Sequence, residues 1–247
     1  MKKACLITAV TVAVLFHSAA SRADEIRVLS SVGIKAVVDE LAPQFEKATK
    51  HKVTMVFGLA GALKAQIEKG EPFDVAILTP PLLDDLIAKG LVPAKSTIAR
   101  TGLGLMIKAG AHKPDISTVD AFKKTLLAAR SITFASAGAS GVAFLATAKQ
   151  LGIADAIKTK PAASGEEVND NVLSGASDLA VLPVSEILPV KGAELGGVFP
   201  ADVQTFVIMA AGVNPKAKGT AAKDFVAFLM SPANNGVIKT KGMERLP

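Results

Sequence analysis

Small and hydroxyl-bearing residues cluster at three points where a buried strand passes into an amphipathic helix. Ser30-Ser31-Val32-Gly33 follows the apolar run 26–29, Gly58-Leu59-Ala60-Gly61 follows 53–57, and Thr79-Pro80-Pro81 follows 75–78. The first turn of a helix has N–H groups without intrahelical partners and the positive end of the helix dipole. Loops of this kind can therefore hold an anionic group without a fixed cationic side chain.

Cationic and hydroxyl side chains near these loops extend the candidate site. Lys35 follows the first loop, Arg100 and Thr101 stand at the start of a long strand, and Ser136 and Ser140 flank a later strand-to-helix loop. Arg100 could grip a carboxylate through two parallel hydrogen bonds, which favours a small organic acid as the ligand. The alternatives are that Lys35 opens an exposed helix, that Arg100 is a solvated loop residue, and that the serines only cap helices.

The first 23 residues have the pattern of a secretory leader. Met1-Lys2-Lys3 is basic, residues 4–16 are apolar, and Ser21-Arg22-Ala23 is a small-x-small cleavage site before Asp24. We expect cleavage there, a mature chain of about 224 residues and a periplasmic location. Cys5, the one cysteine, lies in the leader, so a mature chain without it excludes thiol catalysis and Cys-ligated metal centres.

Charge and composition exclude further classes of function. The chain has 28 Lys and Arg against 22 Asp and Glu, and loss of Lys2, Lys3 and Arg22 with the leader leaves a net charge of +3. The lysines are scattered and Trp and Tyr are absent, which argues against nucleic-acid binding. His51 and His112 belong to no metal or triad spacing, and we expect no metal site and no cofactor.

Strands and helices alternate along the mature chain, which predicts an α/β fold with a parallel, doubly wound sheet. Two longer strand-like passages, 102–108 and 205–212, are expected to cross between two lobes. The predicted first lobe comprises residues 24–101 and 206–247, and the second comprises residues 102–205. The arrangement predicts two lobes that close like a hinge around a ligand.

The chain resembles the molybdate-binding proteins of ABC transporters, within the type II periplasmic binding protein superfamily. The resemblance covers almost all of the mature chain and is carried by residues 26–31 (IRVLSS), 63–77 (LKAQIEKGEPFDVAI), Ser140-Gly141 and 149–152 (KQLG). It implies a two-lobed Venus-flytrap fold with two crossing hinge strands, a small anionic ligand in the interlobe cleft and an inner-membrane ABC permease as partner. Such binders are usually monomers.

The binding residues of that family are largely replaced in this sequence. Gly33 stands near the place of the family's first serine, Leu59-Ala60-Gly61 replaces a serine-rich loop, and Leu182 lies near the place of a tyrosine. The ligand could thus be a carboxylate or an oxyanion such as molybdate. The predicted ligand-binding residues are Ser30, Ser31, Gly33, Lys35, Ala60, Gly61, Thr79, Arg100, Thr101, Ser136, Ser140, Gly141 and Leu182. Gly61 and Gly141 have an alternative role, which is to let backbone approach backbone.

Some proteins that resemble this family isomerise unsaturated tricarboxylates, notably aconitate isomerases. This chemistry needs an acid or base with a pKa near neutral and positive groups for the developing charge. Lys35, Arg100 and Glu186 are the candidates, although Glu186 is expected first to cap or ion-pair a helix start. A binding role is favoured over catalysis, and a sensor or scavenger without a transporter shares the same sequence features.

Overall fold

The structure is a computed structural model that describes residues 23–246 of the 247-residue chain. The predicted leader up to Arg22 and its Cys5 lie outside the described residues. Among the described residues, no helix combines the length and the apolar character needed to cross a membrane.

The first part of the chain alternates buried strands with helices, as predicted. Helix α1 forms because its apolar residues recur on one face, and it ends where Lys50 adopts a left-handed φ of 67°. A short 3-10 helix, Val32–Ile34, connects β1 to α1. The elements are β1 (Glu25–Ser31), α1 (Lys35–Thr49), β2 (Lys52–Gly58), α2 (Ala60–Glu68), β3 (Val75–Leu78) and α3 (Pro80–Ala88).

The second part contains a further α/β set and a helical end. The strand elements are β4 (Lys95–Lys108), β5 (Ile132–Ala135), β6 (Thr159–Ala162), β7 (Leu179–Pro183), β8 (Ala193–Val198) and β9 (Phe206–Val213). The helices are α4 (Val119–Ala128), α5 (Ala139–Gln150), α6 (Gly165–Leu173), α7 (Val184–Ile187), α8 (Ala221–Met230) and α9 (Asn235–Thr240).

The nine strands form one connected sheet in the order β2-β1-β3-β9-β4-β7-β5-β6, with β8 also paired to β4. Strand β4 passes through both halves: its residues 95–102 pair with β9, and its residues 103–108 pair with β7 and β8. The two-lobed α/β fold with crossing strands is thereby confirmed, and the lobe bounds stay a prediction. The predicted parallel pairing is confirmed within each half, where β1 pairs with β2 and β3, and β5 pairs with β6 and β7. The crossing strands β4 and β9 instead run antiparallel to their neighbours.

One side chain bonds to both backbone groups of β4 at the crossing. Gln204 accepts a hydrogen bond from the N–H of Leu103 at 2.8 Å and donates one to the carbonyl oxygen of Leu103 at 3.1 Å. Both backbone groups of β4 at the point of crossing are therefore satisfied by the segment that leads into β9. This fixes the two connections side by side.

The short elements β6, α7 and β8 have weak signals in the sequence. The residues of β6 are mostly exposed, and β8 contains Gly196 and Gly197, so neither shows the apolar run of a buried strand. Helix α7 has four residues, too few for helical periodicity to show. The apolar core lies on the faces of the sheet, where Phe45 packs on Phe225 with ring centroids 5.1 Å apart and Phe134 packs on Phe144 at 5.3 Å.

Candidate functional site

A cavity of about 650 Å³ lies between the starts of α2 and α3 on one side and the start of α5 on the other. Its floor is formed by β9 residues and by the junction of β7 with α7. The carboxyl ends of β1, β3 and β5 lead into the surrounding turns, which is where open α/β sheets place ligands. Of the predicted site residues, the cavity brings together Ser31, Ala60, Gly61, Thr79, Ser140 and Leu182, together with Glu186.

Backbone N–H groups at the starts of α2 and α5 are the main donors of this cavity. The residues before these helices, Leu59 and Gly138, make no side-chain capping bond. The first helical backbone bonds are donated by Leu63 and Val142, so the three preceding N–H groups of each helix have no partner among the described residues. Four of these residues, Ala60, Gly61, Ala139 and Ser140, line the cavity, so unpartnered N–H groups stand at two helix starts on opposite sides of it.

The start of α3 differs from this pattern, and here the sequence expectation needs a correction. Pro80 and Pro81 are its first two residues, and proline has no backbone N–H. The next N–H groups, of Leu82 and Leu83, both donate to the carbonyl oxygen of Thr79. The third loop therefore offers the hydroxyl of Thr79 and apolar proline rings instead of a helix N-terminus.

Four hydroxyl residues line the cavity: Ser31, Thr79, Ser140 and Thr205. Thr205 was missed by the sequence analysis, although it begins the predicted crossing passage 205–212. Ser30 lies outside the lining, fully buried, and its hydroxyl contacts the carbonyl oxygen of Ser31 at 3.2 Å. Ser136 also lies outside, exposed, and donates to the carbonyl oxygen of Ala162.

Glu186 is the one charged side chain among the described residues that line this cavity. Its carboxylate makes no hydrogen bond or ion pair within the described part of the chain, so the expectation that it caps or ion-pairs a helix start is wrong. One carboxylate oxygen lies 3.5 Å from where a Cβ on Gly33 would be, and the other lies 3.8 Å from where a Cβ on Gly165 would be. Burial disfavours the charged form and raises the pKa of Glu186 to about 7.

A second cavity of about 570 Å³ adjoins the first and shares Glu186 and Leu182 with it. Lys35 lies here, where its Nζ contacts an Asp39 carboxylate oxygen at 2.6 Å and sits 4.4 Å above the centre of the Phe57 ring. The predicted lysine is thus brought beside the second cavity and not the first. The remaining polar lining residues are Ser164, Glu166, Asn169 and Ser185.

Arg100 and Thr101 lie at the crossing and line neither cavity. Arg100 contacts Glu244 through its Nε at 2.7 Å and stacks over Phe206, with its guanidinium carbon 4.1 Å from the ring centre. Thr101 is buried, donates to the carbonyl oxygen of Gly242 at 2.9 Å and accepts from the N–H of Ser185. These partners leave neither side chain directed at the first cavity, and a ligand contact for them stays a prediction.

Two of the predicted glycines allow close packing. A Cβ on Gly141 would lie 2.1 Å from the carbonyl oxygen of Ala135, and one on Gly33 would lie 2.5 Å from the terminal methyl carbon of Met209. A Cβ on Gly61 would meet no atom within 4 Å. The backbone-approach alternative therefore fits Gly141, while Gly61 lines open space in the cavity.

The chain is similar to an isomerase and to molybdate-binding proteins. A protein called aconitate isomerase from a Pseudomonas species is 30% identical over 240 residues, which is 93% of this chain and 91% of that protein. The molybdate-binding protein of Azotobacter vinelandii is 28% identical over 90% of this chain and 91% of its own length. The solved structure of the periplasmic molybdate-binding protein of the same species shares the fold with a TM-score of 0.75, at 22% identity, over 90% of this chain and 99% of that one.

These similarities confirm the resemblance noted in the sequence. The family model described as bacterial extracellular solute-binding protein matches residues 26–244, nearly the whole of the described chain. Together with the two-lobed fold and the cavity at the crossing, this match shows that the chain belongs to the bacterial extracellular solute-binding protein family.

Proposed function

We propose that this protein is a periplasmic solute-binding protein that closes its two lobes on a small organic carboxylate and delivers it to an inner-membrane ABC permease. Support for an anionic ligand comes from the molybdate-binding relative and from the chemistry of the first cavity. Support for export comes from the family, whose description is extracellular, and from the predicted leader.

The observation that carries the proposal is the pair of uncapped helix starts on opposite sides of one cavity. Each helix start brings three N–H groups and the positive end of a helix dipole. Ser31 and Thr79 add hydroxyls beside α2 and α3, and Ser140 adds one at α5. Because the donors come from both lobes, an anion held by all of them would stabilise the closed arrangement.

A carboxylate fits the cavity better than a compact metal oxyanion. The cavity of about 650 Å³ has a mostly apolar wall that includes Val142, Phe206 and Met209, and this wall suits a carbon skeleton. The only charged lining residue among those described is Glu186, which is acidic. An organic acid can place carbon atoms along the apolar wall and hold its carboxylates away from Glu186, whereas a compact oxyanion has no apolar part.

A thermal-shift screen of the mature protein tests the proposal. The ligands are succinate, citrate, both aconitate isomers, molybdate, tungstate, sulfate and phosphate. A ligand at 100 times its dissociation constant adds about 2.7 kcal/mol of stability, so a clear rise in Tm with one or more carboxylates is expected. A rise with molybdate or tungstate alone would contradict the choice of a carboxylate.

A second candidate function is isomerisation of an unsaturated tricarboxylate. Two observations favour it: the 30% identical aconitate isomerase, and a carboxyl group in the cavity whose pKa of about 7 suits proton transfer near neutral pH. Glu186 would take a proton from a carbon beside a substrate carboxylate and return it to another carbon, while the helix N–H groups stabilise the developing negative charge. Of the three candidate catalytic residues, Glu186 alone lines the first cavity.

The catalytic candidate is tested by incubating the protein with cis- and trans-aconitate separately and following each isomer by proton NMR. In deuterated water, deuterium enters the carbon that receives the proton when the protonated Glu186 carboxyl exchanges with solvent between the two transfers. Glu186→Gln should abolish both signals. Binding of aconitate without conversion over many hours would leave the transport role and remove the enzymatic one.

A further inference from the structure

The surroundings of Glu186 contain more acid than base. Lys35 and Asp39 face the second cavity from α1, and Glu166 faces it from α6. Lys35 is the only cationic residue among the described residues that line the second cavity, and its ammonium group already contacts Asp39 and the Phe57 ring. The carboxylate of Glu186 therefore stands at the junction of the two cavities without a positive neighbour to compensate it.

No neighbouring polar group satisfies the Glu186 carboxylate either. The hydroxyl of Ser185, the preceding residue, donates to the carbonyl oxygen of Gly33 at 2.8 Å. In the wall of the second cavity the Oδ1 of Asn169 is a further acceptor, buried and without a partner among the described residues. Two acceptors without a donor, Glu186 and Asn169, thus lie on this side, together with the N–H groups of Gly165 and Glu166 at the start of α6, which have no partner among the described residues. The starts of α2 and α5 have N–H donors and no acidic side chain in the lining of the first cavity.

This polarity separates two kinds of anion. A carboxylate without a donor gains from the helix N–H groups but is repelled by Glu186. A carboxylate that also has a hydroxyl or ammonium group can place that group at the junction, where it donates to a charged acceptor. Hydrogen bonds to a charged acceptor are shorter and about twice as strong as neutral ones.

We propose that Glu186 is a specificity-determining residue that selects small carboxylates with a second group able to donate a hydrogen bond, placed at the junction of the two cavities. The inference rests on the proposed carboxylate-binding function and narrows its ligand class. A hydroxyl and an ammonium share the donor chemistry. The excess of acid favours the ammonium, and the experiment separates the two.

The test is isothermal titration of the mature protein with succinate, malate and aspartate, which share a four-carbon dicarboxylate frame. The first has no donor, the second has a hydroxyl and the third has an ammonium. We expect malate or aspartate to bind at least tenfold more tightly than succinate. We also expect this ratio to increase from pH 6 to pH 8, as Glu186 loses its proton.

Two variants of Glu186 identify the source of the preference. Glu186→Gln keeps an acceptor but removes the charge, so it should abolish a preference for aspartate and retain part of a preference for malate. Glu186→Leu removes the acceptor and should abolish both. The matched control is Asp170→Asn, which removes an exposed carboxylate of α6 that lines neither cavity and should preserve the ratio.

The outcomes that contradict the inference differ from those that contradict the function. Equal affinities for the three ligands, or a preference that survives in folded Glu186→Gln and Glu186→Leu proteins, overturn the role of Glu186 and leave carboxylate binding intact. Binding of molybdate or sulfate with no response to any of the three overturns the proposed function, and this inference with it. Circular dichroism of each variant confirms that it is folded.

Discussion

The hydroxyl of Ser185 donates a 2.8 Å hydrogen bond to the carbonyl oxygen of Gly33. Ser185 lies in the short helix α7 that follows β7, and Gly33 lies in the 3-10 helix that follows β1, so the bond joins the two halves of the sheet next to the crossing. Both residues are buried, so the bond is shielded from water. It is therefore a direct connection between the two halves of the sheet.

Ser185→Ala should weaken this connection. It leaves the Gly33 carbonyl oxygen without its donor, which costs about 1 to 3 kcal/mol when the group stays buried. We expect a loss of that size in the free energy of unfolding in urea, and a weaker affinity for the ligand. Ser174→Ala is the control, because its hydroxyl bonds within one helix end at an exposed position. Equal effects of the two substitutions would contradict the role given to Ser185.

Glycine-to-alanine substitutions should separate packing from binding. Gly141→Ala places a Cβ 2.1 Å from the carbonyl oxygen of Ala135, and we expect it to destabilise the protein by about 2 to 3 kcal/mol through forced backbone shifts. Gly61→Ala meets no atom within 4 Å and should leave stability unchanged within about 0.5 kcal/mol. Its methyl group lies at the donor end of the cavity and should reduce ligand affinity about tenfold, or about 1.4 kcal/mol. Denaturation and titration of both variants measure the two effects.

Arg100→Ala should have little effect on ligand binding. The side chain is held by Glu244 and by the Phe206 ring outside both cavities. A partly exposed ion pair and a cation–π contact together contribute about 1 to 2 kcal/mol at most, so a small loss of stability is expected and an affinity within threefold of wild type. A tenfold loss of carboxylate affinity in an Arg100→Ala protein of normal stability would contradict this prediction and show that Arg100 contributes to ligand binding.

The stability of the ligand-free protein should depend on pH through Glu186. Its pKa is raised from 4.5 to about 7 by burial, so the folded state binds the proton more tightly than the unfolded state does. The resulting stabilisation is fully present below pH 4.5 and is lost as pH rises through 7. At 1.36 kcal/mol per pKa unit, the loss is at most about 3 kcal/mol.

Urea unfolding of wild type and Glu186→Gln at several pH values between 4 and 8 measures this effect. The difference between the two proteins isolates Glu186 from the other titrating groups. We expect wild type to lose stability relative to the variant as the pH rises. Parallel pH profiles for the two proteins would show that Glu186 has an ordinary pKa.

Much of the fold could be predicted because its main elements have strong local signals. Helix α1 has an apolar face formed by Val37, Val38, Leu41 and Phe45, and β3 and β5 are continuous apolar runs between polar segments. The sheet directions at the crossing could not be predicted. They depend on how β4 and β9 pair over more than a hundred residues of separation, which no local pattern encodes.

The parts of the site that lie at strand-to-helix turns could be predicted from the order of elements in the chain. The parts that depend on which side chains contact one another could not. Strand-to-helix turns pointed to Ser31, Gly61 and Ser140, which line one cavity. Arg100 was predicted to bind the ligand because of its charge. Its side chain instead contacts Glu244, which is distant in sequence. Glu186 was expected first to cap or ion-pair a helix start. The sequence could not show that its carboxylate has no partner, because that depends on which elements pack around it.

The continuous strand β4, with Gln204 bonded to both backbone groups of Leu103, also sets an order of events for ligand capture. A strand that runs through both halves cannot lengthen, so the lobes can part only by turning about this point. Glu186 is close to the pivot, since its neighbour Ser185 bonds to Thr101 beside Leu103, and its position changes little during such a turn. Ser140, at the start of α5, lines the same cavity as Glu186 but has no bond to the crossing among the described residues. We therefore expect the N–H groups around Ser140 to move more than Glu186 does, and to complete the contacts with a ligand only when the lobes close.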